Sequence, residues 1–197
     1  MTFPKRVALA ALLALPLAGC ISLGEKTPPQ LLNLTAATPL APGAAVTGSD
    51  KTAILIAVPT VPQALATQRL PVKSGSVAVA YLKDALWVEA PARLFRTLLA
   101  DTIAQRTGRL TPDPRQFVSA PDTRLTGRLA EFGLDATSST AVVAYDAALG
   151  REGSTTLQSR RFEARVPVAA QDPQTVAAAI NQAANQVAGE VADWVGR

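Results

Sequence analysis

The sequence predicts an α+β fold in which two helices pack on one face of a mainly antiparallel sheet. Two segments, 91–106 and 173–195, carry apolar residues at the three- and four-residue spacing of an amphipathic helix. Most other apolar residues stand in short alternating or β-branched runs separated by Gly and Pro, which is typical of strands and turns. With 197 residues, the chain is long enough to bury one core without disulfide or metal staples.

The first nineteen residues are predicted to serve export rather than the fold. Lys5 and Arg6 provide a short positive region, and the apolar run Val7–Leu17 follows them. The length of this run is typical of a signal peptide and too short to span a bilayer. Residues 1–19 are therefore set aside from the domain.

The apolar run ends in Leu17-Ala18-Gly19-Cys20, which resembles the lipobox of bacterial lipoproteins. The resemblance implies that the Cys20 thiol receives a diacylglyceryl group, that the bond before Cys20 is cut, and that the new amine is acylated. Three acyl chains anchor a protein stably, because each buried CH₂ contributes about 0.8 kcal/mol and two chains already suffice. The alternative is a soluble secreted protein with a Cys beside an ordinary cleavage site.

The residue after the cysteine and the charge balance indicate where the mature protein works. Residue 21 is Ile rather than Asp, which in Gram-negative lipoproteins favours the periplasmic face of the outer membrane over retention in the inner membrane. Cleavage removes Lys5 and Arg6, so the net charge falls from +4 to +2. An exported, near-neutral domain without a basic block is a poor candidate for nucleic-acid binding.

The mature chain divides into a lipidated tether over residues 20–50 and a domain over residues 51–197. The tether is rich in Pro, Ala, Thr and Gly, and one short strand, Gln30–Leu34, is predicted within it at the edge of the domain. The domain begins with the uninterrupted run Ile54–Val58, which ends at Pro59 and predicts a buried strand.

A hairpin follows, with strands over 68–72 and 76–82 joined around Lys73-Ser74-Gly75. Both faces of its second strand are apolar, because Val77 and Val79 alternate with alanines. Such a strand is predicted to lie in the middle of the sheet or under a helix.

Capping signals define both helices. Pro at the first helical position and Gly after the last predict a helix over Pro91–Arg106 closed by Gly108, with Leu98 in the core. Asp172 is the predicted cap of the second helix, Pro173–Val195. Between the helices, strands are predicted over 124–134, 140–149 and 156–168, in an antiparallel meander with one solvated face.

Several short motifs occur in a recognisable order along the chain. After the lipobox they are Leu31-Leu32-Asn33-Leu34, Ile54–Val58 before Pro, Gln68-Arg69-Leu70-Pro71-Val72, Tyr81-Leu82-Lys83-Asp84-Ala85-Leu86-Trp87 and Pro91-Ala92-Arg93-Leu94. Together they resemble the ABC-type transport auxiliary lipoprotein component family across nearly all of the mature chain.

The resemblance implies an accessory lipoprotein of a system that combines an ABC ATPase, a permease and an MCE-type lipid-binding protein. Such systems move lipids or other hydrophobic molecules between two membranes. It implies binding and positioning, by docking on the MCE-type protein or by self-association, with no cofactor. The chain shows no G-x-x-x-x-G-K-[ST] loop, so ATP would be used by a partner. The alternative is a structural or regulatory envelope lipoprotein, such as an activator of a cell-wall synthase.

Three residues are candidates for a partner interface: Trp87, Arg160 and Arg161. Trp is enriched among interface hot spots, although a core anchor whose indole N–H finds a backbone partner is the alternative for Trp87. Arg160 and Arg161, with Arg165, are expected on a strand face that meets an acidic partner or lipid phosphates, or that is solvated.

Composition excludes most catalytic chemistry. The chain has no His and one Cys, so it can form neither a Ser-His-Asp triad nor a His-ligated or multi-Cys metal site. Ser-Lys chemistry remains open. We expect no catalytic residue and no metal ligand, and therefore no enzyme.

Overall fold

The computed structural model describes residues 30–113 and 121–196. The predicted signal peptide and Cys20 lie outside the described residues. The elements in chain order are β1 (Ile54–Ile56), a 3₁₀ turn (Gln63–Leu65), β2 (Arg69–Ser74), β3 (Ala78–Leu86), α1 (Pro91–Thr107), β4 (Thr123–Asp135), β5 (Thr140–Arg151), β6 (Gln158–Pro167) and α2 (Pro173–Val195). Both helices match their predicted bounds to within one residue.

The strands form one mixed sheet in the order β3–β2–β4–β5–β6, and β1 also pairs with β4. The pairs β2–β3, β4–β5 and β5–β6 are antiparallel, whereas β1 and β2 both run parallel to β4. β1 lies beside Thr123–Leu125, and β2 lies beside Leu134 and Asp135, so these two strands share one edge of β4. The predicted α+β class with a mainly antiparallel sheet is confirmed.

Both helices cover the same face of the sheet, and α2 lies across β5 and β6. Tyr145 of β5 points to this face, where its ring meets Phe95 of α1 edge-on at a centroid distance of 5.2 Å. Burial raises the pKa of the Tyr145 phenol. The helices themselves approach closely, because a Cβ at Gly189 of α2 would lie 2.9 Å from Nη2 of Arg106 of α1.

The helix ends are set by the residues predicted to set them. Gly108 closes α1 in the left-handed conformation, with φ of 67°, and donates its N–H to the Ala104 carbonyl. The Asp172 carboxylate caps α2 by accepting a hydrogen bond of 2.9 Å from the Thr175 N–H. The same N–H lowers the pKa of Asp172.

The hairpin strand predicted to be central lies elsewhere, and this prediction is wrong. In the described part of the chain, β3 lies at one edge of the sheet, and no helix covers its first half. Val77 is 93% exposed and Val79 is 54% exposed. The apolar residues on both faces of the strand do not determine its burial, because burial depends on which strands pair. Since β4 pairs with β2 rather than with β3, β3 is left at the edge.

The second half of β3 turns inward through a bulge. Arg69 pairs with Leu86 and Pro71 with Tyr81, so four residues of β3, from 82 to 85, stand opposite Leu70 alone. Asp84 adopts a φ of 57° there, a left-handed conformation that Asp tolerates better than most residues. The bulge changes which residues face the core.

We predict that Leu98→Ala lowers the free energy of unfolding by roughly 2–5 kcal/mol, because Leu98 is buried among the core residues of α1 and leaves a cavity. Urea unfolding of the chain from residue 21 onward measures the change.

The matched control on the same helix is Arg93→Ala, which changes an exposed residue and should shift stability by no more than about 0.5 kcal/mol. Equal unfolding midpoints for the two variants would show that Leu98 does not face the core.

Candidate functional site

The segment Gln30–Ala37, here called the strap, is held against the domain. Leu32 forms a parallel bridge with Trp87, in which the Leu32 N–H donates to the Leu86 carbonyl at 2.7 Å and the Leu32 carbonyl accepts from the Val88 N–H at 2.8 Å. The Leu32 and Leu34 side chains are buried in the core. The strand expected at Gln30–Leu34 is therefore a single bridge beside the end of β3, and residues from the expected tether complete the core.

Two amides of α2 hold the rest of the strap. Oδ1 of Asn181 accepts from the Thr35 N–H at 2.9 Å, and Oδ1 of Asn185 accepts from the Ala37 N–H at 2.7 Å. Nδ2 of Asn185 also donates to the Thr35 carbonyl at 2.9 Å. The two amides thus supply the hydrogen bonds that a neighbouring strand would otherwise provide to the backbone of residues 35–37.

Sequence reasoning did not single out Asn181 and Asn185. A signal was present, because two Asn residues four positions apart share one face of a helix, and Asn is a weak helix former that bonds to backbone groups.

Several turns meet at one end of the sheet, here called the Gln30 end. The β2–β3 turn contacts the β4–β5 turn, because the Gly75 N–H donates to Oγ1 of Thr137 at 3.0 Å. On the other side of that turn, the Val168 N–H donates to the Ser139 carbonyl at 2.8 Å, just before α2 begins. The side chain of Gln30 bonds to Gln174 in the first turn of α2. The described chain therefore begins at this end.

Charged groups at the Gln30 end are held in place. Asp135 accepts hydrogen bonds from the N–H groups of Thr137 and Ser138 in the β4–β5 turn. Hydrogen bonding with Ser138 lowers the pKa of Asp135, so this carboxylate stays ionised, as does Asp172. Lys73 forms an ion pair with Glu131 at 3.6 Å.

A groove of about 240 Å³ opens near this end on the sheet face turned away from the helices. Its wall is largely apolar, with Leu65 of the 3₁₀ turn on one side and Val142 of β5 on the other. The Lys73–Glu131 ion pair also lines it. The groove has the dimensions for an apolar side chain or a short length of hydrocarbon.

Trp87, which was expected at a partner interface, lies inside the core. Trp87 has no exposed surface and packs against Phe132 in a tilted arrangement, with an interplanar angle of 59° and ring centroids 5.4 Å apart. Within residues 30–113 and 121–196, no atom accepts a hydrogen bond from its buried Nε1. Trp87 is a core anchor, as its alternative interpretation held, but without the backbone partner expected for its indole N–H.

Arg160 and Arg161 of β6 do not lie on one face of the strand, contrary to the expectation from the sequence. Arg160 lies on the helix side of the strand, where its guanidinium stacks on the Phe162 ring at 4.9 Å. Arg161 lies on the opposite side and pairs with Asp146 at 2.9 Å and with Glu163 at 3.5 Å. The Asp146 contact raises the pKa of Arg161. Side chains of consecutive strand residues point to opposite faces, so Arg160 and Arg161 form no common patch.

Comparison with known proteins decides the family. A family profile described as ABC-type transport auxiliary lipoprotein component matches residues 33–192. The chain belongs to this family. The match begins inside the strap, which agrees with the burial of Leu34. No curated protein is significantly similar to the chain in sequence.

Two solved structures share the fold. The crystal structure of protein XCC0632 from Xanthomonas campestris, assigned to DUF330, has a TM-score of 0.68 and 20% sequence identity, and the match covers 84% of this chain and 94% of that one. An uncharacterized protein matches with a TM-score of 0.64 and 14% identity, over 84% of this chain and 99% of that one. Within residues 30–113 and 121–196, neither helix is long and apolar enough to cross a membrane.

We predict that Asn185→Ala releases the strap without unfolding the domain. The substitution removes two hydrogen bonds to the strap, each contributing about 0.5–1.5 kcal/mol, while Ala improves helix propensity. Hydrogen–deuterium exchange of residues 35–38 should become about tenfold faster or more, with α1 and β5 unchanged.

Gln186→Ala, on the exposed side of the same helix, is the matched control and should leave strap exchange as in the wild type. Unaltered exchange in Asn185→Ala would show that the amide of Asn185 does not hold the strap.

Proposed function

We propose that this protein is a periplasmic lipoprotein, anchored through Cys20, that serves an ABC-type transport system for lipid or another hydrophobic substrate. Membership of the auxiliary lipoprotein family carries the proposal. The Leu17-Ala18-Gly19-Cys20 sequence supports it, because it supplies an attachment residue shortly before the strap. The apolar groove and the strap are the features of the domain on which partners can act.

The proposed anchor accounts for the single cysteine of the chain. A thioether-linked diacylglycerol and an N-acyl chain give Cys20 three hydrocarbon chains, and two are already enough for stable attachment. Nine residues, 21–29, separate Cys20 from the strap. The folded domain is thus proposed to stay close to the bilayer that holds its anchor.

The proposed membrane is the outer membrane, with the domain on its periplasmic face. Ile at position 21, where Asp would favour the inner membrane, supports this choice. The proposed partners are an MCE-type periplasmic protein and the permease and ATPase of the system, and self-association is compatible with the same role.

The proposed mode of action is binding and positioning rather than catalysis. The sequence has no His, and it has no phosphate-binding G-x-x-x-x-G-K-[ST] loop, so energy from ATP would have to enter through the partner ATPase. An accessory with these properties can link a membrane to a transport complex, which the family description as an auxiliary component supports.

We predict that Cys20→Ser gives a folded domain that no longer fractionates with membranes. The substitution removes the sulfur that carries the acyl chains and leaves the described core intact. Membrane fractionation at high salt measures attachment, and circular dichroism of the released protein measures folding. Retention of Cys20→Ser on membranes stripped of proteins would contradict acyl anchoring.

Crosslinking in intact envelopes followed by mass spectrometry tests the transport assignment. We expect the wild type to capture an MCE-type protein or a permease of the same system, and Cys20→Ser to capture less of either. Capture of cell-wall synthases without any transport protein would contradict the proposal and favour a regulatory envelope lipoprotein.

A further inference from the structure

We infer that the β2–β3 turn, led by Val77, touches the bilayer that holds the Cys20 anchor, so that the domain stands on its Gln30 end. This inference rests on the proposed acylation of Cys20. It assigns a second membrane contact to the folded domain, at a position remote in sequence from the cysteine.

The length of the chain before the strap limits how the domain can stand. Ten Cα–Cα steps join Cys20 to Gln30, and a fully extended chain covers roughly 35 Å over that number of residues. The 13 residues of β4 alone extend over roughly 40 Å. The opposite end of the sheet could rest on the bilayer only if residues 20–30 were almost fully extended, so the length of this segment favours an orientation with the Gln30 end at the bilayer.

The Gln30 end also exposes apolar surface. Val77 is almost fully exposed at the tip of the β2–β3 turn, and Val79 follows it on the unpaired edge of β3. Exposed apolar residues are ordinary when single, but Val77 and Val79 stand with the exposed Ala78 and Ala80 in one short stretch that runs from the turn into the start of β3. Small apolar side chains at a turn tip can enter the boundary between headgroups and acyl chains without changing the fold.

Charge does not explain attraction of this end to a membrane. Asp135 and Asp172 are ionised there, and Lys73 is already paired with Glu131. The contact must therefore be apolar, and its strength should depend little on anionic lipid or on salt. This separates it from the phosphate contact considered for Arg160, which lies near the other end of β6.

The test uses the mature lipoprotein reconstituted in phosphatidylcholine vesicles that contain doxyl-labelled lipid as a quencher. Ser76→Cys in the β2–β3 turn and Ser154→Cys in the β5–β6 turn, at opposite ends of the sheet, each receive the same fluorophore. We expect severalfold stronger quenching at position 76 than at position 154, unchanged between roughly 0.05 and 0.5 M salt.

Two further substitutions show whether Val77 is responsible. Val77→Asp should reduce quenching at position 76 to the level found at position 154, because a carboxylate resists entry into the bilayer. Leu157→Asp is the matched control: Leu157 is 68% exposed next to the β5–β6 turn, and its replacement should leave quenching at position 76 unchanged. Circular dichroism verifies that both variants are folded.

Three results would overturn the inference. Equal quenching at positions 76 and 154 would show that the domain has no preferred end at the bilayer. A label at position 76 that is shielded from water but not quenched by lipid would show that a second copy covers the turn. Labelling of the wild type by the fluorophore would reveal a free Cys20 thiol, which would refute both the proposed acylation and the inference that rests on it. If the wild type is not labelled but quenching is equal at positions 76 and 154, only the inference is refuted.

Discussion

The bridge between Leu32 and Trp87 fixes where the N-terminal chain leaves the domain. Two backbone hydrogen bonds hold Leu32, and its side chain completes the core beside Trp87. The amides of Asn181 and Asn185 then guide the chain along α2. A lipid anchor on a loosely attached tether would allow any orientation of the domain. With the proposed anchor at Cys20, separated from the bonded strap by nine residues, orientations with Gln30 near the membrane would be favoured.

The same bridge depends on an irregularity of the neighbouring strand. The bulge at 82–85 turns β3 so that Ala85 and Trp87 enter the core, while Val77 and Val79 remain at the free edge. One strand therefore serves two purposes along its length: its end builds the core and its start projects from the domain. The stretch Tyr81–Trp87, one of the motifs on which the sequence resemblance is based, makes this transition.

The described surface of β6 has little unbalanced charge. Arg161 and Arg165 share the carboxylate of Glu163, and Arg161 also pairs with Asp146. Exposed ion pairs contribute little to stability, commonly below about 1 kcal/mol. Here they largely neutralise the positive charge on the face of β6 that carries Arg161 and Arg165. The features that distinguish this domain are therefore apolar and geometric, namely the groove beside the 3₁₀ turn and the projecting β2–β3 turn, and both lie toward the Gln30 end.

The sequence by itself determined the local structure: the bounds of α1 and α2, the cap at Asp172, the left-handed Gly108 and the alternation within β5 and β6. Each depends on contacts between residues close in the chain, so the local pattern contains them. Tertiary structure alone decided that β3 lies at an edge, that Arg161 pairs with Asp146 of the neighbouring strand, and that Asn181 and Asn185 bind a segment about 150 residues away. These outcomes depend on which distant elements pair and in which register, and periodicity along the chain carries no information about that choice.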